Sequence, residues 1–384
     1  MDASTSVFDT VIDRTTSHSD KWSKFPDTVI PMWVADMDFD SPDCIKNALS
    51  QRVEEGVYGY TKTPDVLEKA IQAHALTQYN WSVSAQDLVH LPGLVCALHL
   101  SVRVFSEADD RIVVPGPVYY HLTKAPALVG RDIAHVDMTL ENHRWVPDMA
   151  QFEAACADPK SKMILLCNPH NPGGTVYSQA ELLRIHALAE KYNLIVVSDE
   201  IHCDLILDSV PHVPFASLNE DAASRTITLM APSKTFNVAG LGYAFAVIQN
   251  TELRHAFDQG RTGLIPSPNL LGLTAATAAY QEGQVWHHAL LTYLKGNRDL
   301  LVERLASTPL KMARLEATYL AWIDASALGL DDAYEFFVNA GVGVSNGADF
   351  GDANFVRLNF GCPKSVLLEA IERIEAALEQ HSQS

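Results

Sequence analysis

Four short apolar runs of this 384-residue chain end in residues able to do chemistry. The run at 226–230 is followed by Ala231-Pro232-Ser233-Lys234, and that at 194–197 by Ser198-Asp199-Glu200-Ile201-His202. The run at 163–167 leads into Asn168-Pro169-His170-Asn171-Pro172-Gly173-Gly174, and that at 112–114 into Pro115-Gly116-Pro117-Val118-Tyr119. In a parallel α/β sheet the carboxyl ends of the strands face one crevice, so these residues should converge. An amine (Lys234), a carboxylate (Asp199), an amide (Asn171), an imidazole (His202) and a phenol (Tyr119) can together hold an electron-poor pyridine ring. The amine would form an imine, the carboxylate would pair with the protonated ring nitrogen, and the phenol could stack on the ring face. Singly, each has a plainer reading: a lysine after a strand is ordinarily a solvated loop charge, and Asn or Asp there closes a turn or caps a helix. Their recurrence at successive strand ends points to one site.

Further groups suit anions. Gly93-Leu94-Val95 opens an apparent helix after the 88–91 run, where backbone N–H groups and the positive helix end can receive an anion. Ser233 could add a hydroxyl, or close a turn. Arg357 sits in a strand-like segment at 355–360, and its planar guanidinium can hold a carboxylate through two parallel hydrogen bonds. Trp33, Val34 and Ala35 are placed either to cover a substrate or to form a buried aromatic cluster.

The elements that must position these residues follow from patterning. From about 87 to 249 the chain alternates short β-rich apolar runs with helical stretches, as a mostly parallel sheet covered on both faces requires. The stretch at 179–192 puts Leu182, Leu183, Ile185, His186 and Ala189 near one face and ends before Asn193, as a crossover helix would. A surface helix is expected at 64–79. After about 283 the pattern changes to a long helix at 283–306, a strand at 320–323, a helix at 332–340, a strand at 355–360 and a closing helix at 364–379. The expected fold class is therefore α/β, with a large domain at 43–285 and a smaller α+β domain made of 1–42 and 286–384.

Composition narrows the partners. The formal charge is −19 and no basic run interrupts it, so nucleic acid and anionic membrane surfaces are poor fits. No apolar run is long enough to span a bilayer, which suggests a cytoplasmic protein. The six cysteines form no C-x-x-C pair and read as free, mostly buried thiols, and the fifteen histidines show no metal-ligand spacing.

Asn171-Pro172-Gly173-Gly174, Asp199-Glu200-Ile201-His202 and Ser233-Lys234-Thr235-Phe236, in this order, resemble the PLP-dependent aminotransferase superfamily of fold type I over nearly the whole chain. Val11-Ile12-Asp13-Arg14, the Pro31 to Phe39 string, Tyr58-Gly59-Tyr60-Thr61 and the Val356 to Pro363 string resemble, more narrowly, the MalY/PatB-type cystathionine β-lyases. The resemblance implies a mostly parallel sheet of the seven-stranded type. It also implies pyridoxal 5′-phosphate (PLP) as cofactor, Lys234 as the Schiff-base lysine, Asp199 on the pyridine nitrogen, and Asn171 and His202 near the ring hydroxyl. It makes Arg357 the holder of a substrate α-carboxylate and Tyr60 a contact to the phosphate of a neighbouring subunit in a homodimer, with the anion-receiving start at Gly93-Leu94-Val95 and the Ser233 hydroxyl as candidates for the cofactor's own phosphate.

Two departures from ordinary aminotransferases bear on activity. His202 stands where most of that superfamily has Tyr, as in the β-lyase-like subfamily. Gly242 stands eight residues after Lys234, where a phosphate-binding Arg is usual. Together with the β-lyase-like strings they support α,β-elimination on an S-substituted cysteine, such as cystathionine, giving a thiol, pyruvate and ammonia. An amino-acid aminotransferase and a PLP-binding regulatory protein are the alternatives.

Overall fold

The computed structural model describes residues 6–383. Eight strands form the larger sheet: β1 (Leu88–Leu91), β2 (Arg111–Gly116), β3 (Asp132–Glu141), β4 (Arg144–Pro147), β5 (Ser161–Cys167), β6 (Ile195–Asp199), β7 (Thr226–Met230) and β8 (Ala244–Val247). Their order is β1-β8-β7-β6-β5-β2-β3-β4. β2, β3, β5, β6 and β7 run parallel, β8 runs against both neighbours, and β4 folds back on β3. The central strands are apolar without alternation because both faces are covered. The helices Leu94–Phe105 and Thr251–Arg261 pack on one face, and Met149–Ala157 and Gln179–Lys191 on the other.

A second, antiparallel sheet contains β9 (Lys311–Met312), β10 (Leu320–Asp324), β11 (Ser345–Asn346) and β12 (Phe355–Asn359), in the order β9-β10-β12-β11. Its core takes in the helices Gln284–Leu305 and Lys364–Ser382, together with Phe8, Met32 and Phe39 from the start of the chain. Ile30–Pro31 pairs in parallel with Val342–Gly343, which ties the Trp33–Ala35 stretch to this layer.

Several elements were not foreseen, three of which bear on the fold. The β3–β4 hairpin turns through Asn142 and His143, both at positive φ, so the usual Asn-Gly signal is missing from its sequence. Leu270–Glu282 is a separate helix that meets the expected long one at Gly283, where a Cβ would stand 2.5 Å from the Phe236 ring. The helix Asp43–Glu54 buries only Ile45 and so shows little apolar stripe.

Candidate active site

The carboxyl ends of β2, β5, β6 and β7 open into a cavity of about 310 Å³. Tyr119, Asn171, Asp199, His202, Ser233 and Lys234 line it from the larger sheet, and Gly93, Leu94 and Val95 from the adjoining helix start. Trp33, Val34, Ala35, Ser345 and Arg357 close it from the other layer. Every residue singled out from the sequence is thus brought together except Tyr60.

Lys234 donates from Nζ to the Ala35 carbonyl at 2.7 Å. Burial lowers its pKa to about 8; Asp36 and Asp199 work against the shift, and Arg357 adds to it. Asp199, at the end of β6, accepts only the Ile201 N–H, at 3.2 Å, and burial raises its pKa to about 7. No cation is hydrogen-bonded to that carboxylate among the described residues. His202 is 2% exposed and pushed down to about 3, first by burial and then by Lys234 and Arg357. It is therefore a neutral ring at physiological pH, with an Nδ1 that has no partner. The Tyr119 N–H donates to the Asn171 carbonyl at 3.0 Å, so the loops after β2 and β5 hold each other.

Arg357 is 6% exposed, in the middle of β12. Its guanidinium donates to Asn171 Oδ1 (3.0 Å), the Trp33 carbonyl (3.0 Å) and Ser345 Oγ (3.2 Å), and lies 4.8 Å from the Phe350 ring centroid. All these partners are neutral, and Nε has none. Burial lowers its pKa to about 10, so it stays charged at pH 7. A buried cation without a counter-ion is costly unless an anion arrives. An incoming anion would supply the counter-ion that these neutral partners do not.

A model of the aminotransferase class I and II family matches residues 27–374. The chain belongs to that family. It is 38% identical to cystathionine beta-lyase PatB of Bacillus subtilis (strain 168), over 97% of this chain and 99% of that protein. Among solved structures, the crystal structure of OvoB superposes with a TM-score of 0.95 at 47% identity, covering 97% of this chain and 98% of that one. Cystalysin from Treponema denticola, whose crystal structure contains PLP, superposes at 0.94 with 31% identity, covering 97% and 98%.

The residues of this class I and II chain fit that cofactor. Asp199 offers a buried acid lacking a cationic partner, which a protonated pyridine nitrogen would supply. The helix Leu94–Phe105 begins at Gly93 with no side chain capping it, leaving backbone N–H donors for a phosphate. Gly242 also lines the cavity, at φ +62°, and a Cβ there would lie 3.1 Å from the Pro92 carbonyl. That backbone disfavours any side chain, arginine included. His186, Glu190 and Asp221 bring ligand atoms within 4.8 Å of one another elsewhere. Asp221 is already paired with Arg225 and His186, so this group is accounted for as an ion-pair cluster.

Tyr60 lies outside the cavity, fully exposed on the loop after the Asp43–Glu54 helix. Several participants were missed. Tyr319 donates its hydroxyl to the same Ala35 carbonyl that Lys234 uses, at 3.0 Å. Phe350 covers Arg357, Tyr120 packs at 4.8 Å on Tyr119, and Lys24 and Asp349 stand at the cavity edge. Tyr120 follows Tyr119 directly and Asp349 and Phe350 lie within eight residues of Arg357, whereas Tyr319 comes in from 284 residues beyond Ala35.

Proposed function

We propose that this protein is a PLP-dependent carbon–sulfur β-lyase that cleaves cystathionine or another S-substituted L-cysteine to a thiol, pyruvate and ammonia. The observation that carries the reading is Lys234, a buried amine lowered to about 8 that shares one cavity with a buried acid and an unpaired buried guanidinium. The name of the PatB relative supports carbon–sulfur cleavage over amino transfer.

When bound, PLP supplies an electron-poor ring able to take up the electron pair left at the substrate Cα. Asp199 would keep the proton on the pyridine nitrogen, and the backbone N–H groups of Leu94 and Val95, with Ser233, would hold the phosphate. Tyr119 would stack on the ring, and Asn171 and the neutral His202 would hold its hydroxyl. Arg357 binds the substrate α-carboxylate and fixes Cα near Lys234. Lys234 Nζ would remove the Cα proton. The Cβ–S bond then breaks and the thiolate leaves with its electron pair. Water converts the remaining three-carbon unit to pyruvate and ammonia. Trp33 and Ala35 cover the reacting carbons.

The exposed Tyr60 loop supports a homodimer in which Tyr60 reaches the phosphate of the second copy. Residues Thr61, Lys62 and Thr63 of that loop border a surface hollow of about 550 Å³, also lined by Arg254 and Arg261. The test is a thiol and pyruvate assay over cystathionine and S-alkyl cysteines with PLP-loaded protein. Thiol and pyruvate should appear in equal amounts, and Lys234→Ala should abolish both. Amino transfer to a keto acid without thiol release would establish the aminotransferase alternative instead.

A further inference from the structure

Most of the cavity wall is shielded from solvent. Of the residues lining it, Lys24, Ala239 and Asp349 are the exposed ones, so the opening runs past them. A substituent too long for the interior must meet the two charged members of this trio. Both are held in place. The Lys24 ammonium lies 4.2 Å from the Trp33 ring centroid, 5.1 Å from that of Phe25 and 5.6 Å from that of Tyr334. Trp33 is fixed in turn by its indole N–H, which donates to the Lys21 carbonyl at 3.0 Å. Aromatic faces orient an ammonium without neutralising it, so its donors stay available.

Asp349 ends the short turn Gly347–Asp349, which Asn346 caps through the Ala348 N–H at 2.9 Å. Gly347 allows that turn to sit flat on the chain, because a Cβ there would come within 2.0 Å of the Phe355 carbonyl oxygen. The next residue, Phe350, covers the guanidinium of Arg357, so the turn that shields this guanidinium also presents Asp349. Neither Lys24 nor Asp349 makes an ion pair or a side-chain hydrogen bond among the described residues. They still sense each other: burial lowers the Lys24 amine, and Asp349 works against that.

We propose that Lys24 and Asp349 form a distal subsite for S-substituents that themselves end in an ammonium and a carboxylate. Asp349 takes the ammonium and Lys24 the carboxylate. The proposal rests on the lyase reading above and narrows its substrates. Cysteine conjugates with a second amino-acid head are favoured over those with plain alkyl tails.

Binding is measured apart from turnover with two ligands that lack a sulfur leaving group. One is 2,7-diaminooctanedioate, which ends in a second amino-acid head; the other is 2-aminooctanoate, with the same first head and an uncharged tail. Titration calorimetry on PLP-loaded protein gives a Kd ratio for the wild type, for Lys24→Met and for Asp349→Asn. The visible cofactor band of each variant verifies that its site is intact. The wild type should prefer the doubly headed ligand, and each variant should lower that preference roughly two- to fivefold, as exposed charge pairs do. An unchanged ratio in both variants, or equal weakening of both ligands, would overturn the subsite and leave two solvated charges. If the ratio shifts as expected but no conjugate releases thiol, the subsite stands and the lyase reading fails.

Discussion

Asp199 shows how a single side chain can be unfavourable for the empty fold and necessary for the loaded one. A free aspartate loses its proton near pH 3.9, whereas burial holds the Asp199 proton until about 7. Between those values the folded apoprotein carries a proton that the unfolded chain has released, so stability falls as pH rises through that window. The penalty is complete above about pH 7 and has a ceiling of about 4 kcal/mol, from roughly three pH units at 1.36 kcal/mol each. Asp199→Asn removes the charge and keeps an oxygen for the Ile201 N–H. The apoprotein of this variant should melt a few degrees above the parent at pH 8 and alongside it at pH 4. The same substitution should weaken PLP retention, because the protonated ring nitrogen loses its anion. Calorimetric melting at both pH values, with dialysis of the cofactor, checks the pair of opposite effects. A melting gain of equal size at both pH values would show that something other than the carboxylate charge is responsible.

The seven residues from Asp199 to Leu205 form the element on which two site residues depend, and buried polar groups anchor it at two points. Behind Asp199, Glu200 accepts from Ser198 Oγ (2.8 Å) and the Phe215 N–H (2.9 Å), and His212 Nε2 lies 2.8 Å from it. Beyond His202, Asp204 meets His74 Nε2 at 2.9 Å and the Tyr79 hydroxyl, while its carbonyl lies 2.6 Å from His287 Nε2. Burial alone would raise Asp204, yet the charge and hydrogen bond of His74 hold it below the carboxylate range. Removing one member of such a buried set leaves the others uncompensated, at about 3 kcal/mol. Asp204→Ala should therefore lower the unfolding free energy in urea by about that amount, and also weaken PLP binding by loosening the turn that holds Asp199 and His202. A loss below about 0.5 kcal/mol would mean that the turn is fixed by its apolar neighbours, Cys203 and Leu205. His74 and Tyr79 lie on the helix Asp65–Tyr79, whose apolar stripe was legible in sequence while its anchoring role was not.

At the scale of the whole molecule, what could be read from sequence was what the parallel sheet makes periodic. Strand ends fell where apolar runs met Lys234, Asp199, Asn171 and Tyr119, and the crossover helix ended beside Asn193, which takes positive φ. What could not be read depends on packing. The helix Leu270–Glu282 buries small residues almost all round, among them Gly272, Ala275, Ala276, Ala278 and Ala279, and so lacks an amphipathic stripe. Tyr319 meets the Ala35 carbonyl across 284 residues of sequence, and Phe350 lines the cavity over Arg357. Tyr60 is the extreme case, a residue implied by resemblance that the folded chain leaves entirely in solvent. If it serves the site of a second copy, each cavity takes Lys234 from one chain and Tyr60 from the other. Mixing Lys234→Ala with Tyr60→Ala protein, after denaturing and refolding together, then yields hybrid dimers with one fully native cavity. Random pairing makes half the dimers hybrid with half their cavities intact, so lyase activity should recover to about a quarter of wild type. Were Tyr60 to act on its own chain's cavity, every hybrid cavity would carry one of the two substitutions, and mixing would restore nothing.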